Sequence, residues 1–208
     1  MEFKFSSEYV GTHGIKAYPG DYDGTPHLEG LWFERKPQSL NPDRLAAAAI
    51  LAFGRYCSGP VKFPNKISPA MAGALVDYLS PIRAYPEPIE YYPKAIPEGS
   101  NRVRVRWTAS ESLDELERRP TLQLVPSSEF SGAVGTRNSL IVASNARLMS
   151  ALSTGREDVL TLLAAGVVFA QDLSADTLVL DAEDSTRIVR ARPLLAAAGL
   201  GLELENLS

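Results

Sequence analysis

Hydrophobic and polar positions along the 208-residue chain follow two periods, and each switch between them marks the edge of a short element. In 2–10, Phe3 and Phe5 alternate with polar neighbours, and in 28–35 Leu31 and Phe33 do the same. Both stretches read as half-buried strands. Between them, 11–26 holds four glycines, two prolines and two aspartates and reads as a long irregular loop. Asn41-Pro42 then opens a helix through Leu45, Ala48, Ala49, Ala52 and Phe53, since Asn caps well and proline lacks only an N–H that a first turn leaves unbonded. Val61–Phe63 reads as a short strand. Ser68-Pro69 repeats the cap and starts a helix carrying Met71, Ala74, Leu75 and Tyr78. From Pro81 to Gly99, five prolines interleave with Tyr85, Tyr91 and Tyr92, which predicts extended chain or an edge strand.

In the second half, 102–108 alternates strictly, with Val103, Val105 and Trp107 on one face and Arg102, Arg104 and Arg106 on the other. A capping box at Ser112–Glu115 opens a helix that Pro120 ends. Thr121–Val125 and Asn138–Ala143 read as strands, joined by a Ser- and Gly-rich connection of hairpin type over 126–137. Asn145 is read as the cap of a helix through Leu148 and Leu152. A second box, Thr154–Glu157, opens one through Val159, Leu162 and Leu163 that stops at Gly166. Strands follow at Val167–Ala170 and Thr177–Leu180. A helical turn over Pro193–Ala198, closed by Gly199, leads to a last strand over Leu200–Leu204. Short alternating strands interspersed with helices predict an α+β fold, a mixed and largely antiparallel sheet with several short helices packed on it. A single compact domain over 1–208 is expected, with 110–120 the one place for a seam between lobes.

Composition narrows the class. The chain is 45% hydrophobic and 22% charged, which suits a soluble globular protein. A net charge of -4 argues against general nucleic-acid binding. The longest apolar runs, 45–53 and 162–170, are about half what a bilayer crossing requires. No basic, then apolar, leader stands at the N-terminus, so a cytoplasmic location without membrane attachment is the expectation. The single cysteine, Cys57, has no partner for an internal disulfide.

Candidate chemistry concentrates at three places. Arg102, Arg104 and Arg106 form a ladder of guanidinium forks suited to phosphates or carboxylates, set against the plainer reading of a solvated outer face of an antiparallel sheet, paired with acids of the neighbouring strand. Tyr91 and Tyr92, with Tyr85, add aromatic anchors of the kind enriched at interfaces. His13, Asp21, Asp23 and His27 share the 11–27 segment and supply donors for a metal site, although their spacing matches no metal motif and Asp21–Gly24 is also a good turn. Ser131–Arg137 lacks the lysine and the glycine spacing of a phosphate loop. No HExxH, GxSxG, paired CxxC or dinucleotide fingerprint occurs. The leading expectation is a binding or regulatory protein whose arginine-lined face engages an acidic or phosphorylated partner. Two others stand beside it: a small enzyme, metal-dependent or not, with its site in the 11–27 loop, and a subunit of a larger or oligomeric assembly. No cofactor is named by the sequence.

Overall fold

The computed structural model describes residues 1–7, 11–107, 119–154, 159–181 and 186–205. Its strands are β1 (Glu2–Ser7), β2 (His13–Tyr18), β3 (Gly30–Phe33), β4 (Pro60–Ile67), β5 (Tyr85–Ile89), β6 (Asn101–Trp107), β7 (Thr121–Pro126), β8 (Ala133–Gly135), β9 (Leu140–Ser144), β10 (Ala175–Asp181) and β11 (Gly201–Glu205). The helices are α1 (Pro42–Phe53), α2 (Pro69–Leu79), α3 (Ala146–Thr154), α4 (Val159–Phe169) and α5 (Thr186–Ala197). All eleven strands join one mixed sheet in the order β11-β10-β6-β7-β9-β3-β2-β1-β4-β5, with β8 also on β9. The fold is α+β, as the interspersed pattern predicts. Antiparallel pairing occupies the middle, from β8 and β9 through β3 and β2 to β1. Both flanks are parallel, β9-β7-β6-β10-β11 on one side and β1-β4-β5 on the other. In the larger flank the chain lays down β6, β7 and β9 in one direction, then returns to place β10 and β11 on the other side of β6.

Two helices sit at the centre of the core. Every residue of α1 after Pro42 is buried, and so is every residue of α4 after Val159. Small side chains make this burial feasible: Ala46–Ala49 and Ala52 in α1, and Ala164, Ala165 and Gly166 in α4. A Cβ on Gly166 would stand 3.0 Å from Val105 and 3.1 Å from Leu178, so α4 rides directly on β6 and β10. Gly166 is therefore a contact residue inside the helix and not its end. Val167–Ala170, read from sequence as a strand, supplies the last turn of α4 and the residue after it. Phe169 meets Phe33 edge-on at 5.1 Å, joining the two halves of the core.

The caps at Asn41 and Ser68 hold as expected. Asn41 Oδ1 accepts from the amides of Asp43 and Arg44, and Ser68 Oγ accepts from that of Met71. The segment 11–26 differs from expectation, because 13–18 is strand β2, with Ile15 and Ala17 in the core. Its Gly14 signals contact rather than a loop: a Cβ there would fall 2.0 Å from the Leu31 carbonyl oxygen. Helix α5 begins at Thr186 and runs through Pro193, because Ile188, Ala191, Leu194 and Leu195 form one buried stripe. The 126–137 connection does end in a hairpin, β8 to β9. The expected seam and the helix from Ser112 fall almost wholly outside the described residues.

Candidate functional site

The arginine ladder is real, and Arg102 and Arg104 are already answered from neighbouring strands. Val103 and Val105 point into the core, and the three arginines take the opposite face of β6. Because β11, β10 and β6 run parallel in register, carboxylates of the first two come alongside. Arg102 pairs with Glu203; Arg104 pairs with Glu205 at 2.5 Å and with Asp181 at 3.3 Å. Arg106 is buried, with Gln123 of β7 as its register partner. The face thus passes from exposed Arg102 to buried Arg106 and carries counter-charges for Arg102 and Arg104, as in the plainer of the two readings. The sheet is parallel here, however, and two of the three acids come from β11, one strand beyond the neighbour. Sequence signalled the arginines clearly. The two glutamates lie 101 residues further on, beyond the reach of local pattern.

Tyr91 and Tyr92 stand elsewhere. Edge strand β5 lies seven places from β6 in the strand order, so the structure separates the tyrosines from the ladder. Tyr85, Tyr91 and Tyr92 are 61%, 74% and 92% exposed. Pro86 and Pro88 remove two amide donors from β5, which blunts the edge against pairing with another strand. Ion pairs Lys62–Glu87 (3.5 Å) and Lys66–Glu90 (3.6 Å) tie the surface of β5 and its end to β4. Beside Tyr92 lies a groove of about 580 Å³ whose lining includes Leu40, Pro42, Lys94, Pro97 and Gln171. Gln171 Oε1 is buried there with no hydrogen-bond partner among the described residues. Lys94 makes no ion pair among them either. Helices α1 and α2 both start at this groove, but Asn41 and Ser68 already cap their first turns.

The four metal candidates are not gathered into one site. His13 opens β2, opposite Phe33, whereas Asp21 and Asp23 follow the far end of that strand. His27 is exposed just before β3. Asp23 is engaged by the Met1 ammonium and by the amides of Ser58 (2.7 Å) and Gly20 (2.8 Å). Burial alone would raise its carboxyl, but these partners hold it below the ordinary value of 3.8. Among the described residues, no group of three His, Cys, Asp or Glu side chains is placed to hold a metal ion.

Cys57 is buried, and loss of solvent pushes its thiol up to about 12, which disfavours the thiolate in the folded chain. Arg44 escaped the sequence reading altogether. It is 2% exposed and donates to the carbonyls of Ala198 (3.2 Å) and Pro97 (2.9 Å), stitching α1 to the end of α5 and to the approach to β6. Its role is structural. No described helix is long and apolar enough to cross a membrane.

Comparison of the chain with protein-family models, curated protein sequences and solved structures returns no match. The functional reading therefore rests on the geometry.

Proposed function

We propose that this chain is a non-catalytic binding protein, and that the groove beside Tyr92 takes an extended segment of a partner protein. The observation that carries this reading is the exposure of Tyr85, Tyr91 and Tyr92 along one proline-blunted edge, next to a groove of peptide size. Tyrosine anchors bind at low entropic cost, having few rotatable bonds to fix. Two groups in the groove state what the segment must offer. Gln171 lines the groove, where an amide side chain is suited to hydrogen-bond the backbone of an extended chain. Lys94, without an ion pair among the described residues, favours an acidic side chain. This keeps an acidic partner and moves its contact from the arginine ladder, where Arg102 and Arg104 are paired internally, to the tyrosine edge.

Selection of peptides from a random display library on the immobilised chain tests the reading. Acidic, extended peptides are expected, with affinity for Lys94→Glu reduced about tenfold or more. Recovery of no peptide, or of peptides indifferent to Lys94→Glu, would contradict it.

A further inference from the structure

Two arginines on adjacent turns of α5 have no carboxylate partner among the described residues. Arg187 makes no ion pair or hydrogen bond among the described residues. Arg190 donates only to the carbonyls of Tyr78 (2.8 Å) and Ser80 (2.5 Å), at the end of α2. A spacing of three brings the two side by side on the helix, where like charges repel. Helix α5 holds no acidic residue to relieve them. Both line a cavity of about 260 Å³ formed where α1 and α2 end and α4 and α5 begin, open to solvent on one side. Its lining is apolar at Leu51, Leu79 and Ile82. Arg55 brings a third guanidinium to the same cavity while donating to the Ser153 carbonyl.

We propose that this cavity binds a small oxyanion with a short apolar body, a phosphate ester or a carboxylate. Guanidinium forks match the oxygens of either group, and they do so best where an apolar wall keeps water away. An apolar cavity of about 150 Å³ is known to take up benzene, so this one has room for a ring with its anion at the mouth. The site shares no residue with the tyrosine groove, so either can fail without the other.

The test is a titration of the full chain with phenyl phosphate, benzoate and inorganic phosphate, followed by backbone amide NMR. Phenyl phosphate or benzoate saturates with a Kd of about 1 mM, and the tighter of the two identifies the source of the oxyanion. Inorganic phosphate, lacking an apolar body, binds about tenfold more weakly or worse. Shifts gather at Gly54, Leu79 and Ile82. Arg187→Gln weakens the aromatic anion about tenfold, and Arg187→Glu abolishes binding, both with an unchanged thermal midpoint because Arg187 is exposed and makes no bond among the described residues. The proposal is overturned if neither aromatic anion saturates, if the shifts gather elsewhere, or if Arg187→Gln binds as the parent does.

Discussion

Asn145 shows how one side chain holds two halves of a sheet together. Strands β3 and β9 share a single register pair, Phe33 with Ser144. Beyond it, the Asn145 amide takes over from the backbone: Oδ1 accepts from Trp32 N (2.8 Å) and Nδ2 donates to Gly30 O (2.9 Å). Sequence pattern read Asn145 as a helix cap, and Ser144 does that work instead, its Oγ accepting from Ala146 N. Asn145→Ala strips two backbone groups of their partners and is expected to cost about 2–4 kcal/mol by urea unfolding. Asn145→Asp keeps the acceptor but loses the donor, and should also be destabilised. A cost below about 0.5 kcal/mol for Asn145→Ala would contradict this role. Asn41 and Ser68 were legible because a cap bonds within three residues of itself. Asn145 was not, because its partners lie more than a hundred residues away.

Elements were legible where one period ran cleanly, and less so where small residues served packing. The alternation of β6 showed which side chains enter the core, but not that both its neighbours run parallel to it, since direction leaves no mark on a single strand. Gly14 and Gly166 resembled breaks in the pattern, yet both mark contacts too close for a Cβ. Gly166→Ala makes this quantitative. Helix propensity alone favours alanine by about 1 kcal/mol. The new Cβ meets Val105 and Leu178 within α4's closest packing, and overpacking of this kind costs about 1–3 kcal/mol. The variant is therefore expected to be no more stable than the parent by denaturant unfolding, and stabilisation by a full helix-propensity increment would contradict the close approach of α4 to β6 and β10.

For the whole molecule, two aspartates make opposite contributions to acid stability. Asp23 is held below 3.8, so its contribution is complete above that value and is lost as pH falls through the lower folded one. Asp172 is raised by burial, more than the Gln38 amide and Arg35 can offset, so its penalty is full at neutral pH and is relieved as pH falls from the raised value towards 3.8. Unfolding free energies across acid pH should lose their steepest fall in Asp23→Asn and their mild-acid gain in Asp172→Asn. Parallel curves for parent and both variants would refute the assignment. The α+β class was legible from the mixture of periods, whereas the counter-charges of the ladder and the walls of the tyrosine groove arise only when distant segments meet. The central claim, that Tyr91 and Tyr92 anchor a partner segment, is tested most directly by calorimetric titration of one selected acidic peptide into the parent and the Tyr91→Ala/Tyr92→Ala variant. A loss of affinity of about thirtyfold or more, at a thermal midpoint within about 2 °C of the parent, is the expected result. Equal affinity for the two proteins would contradict the claim.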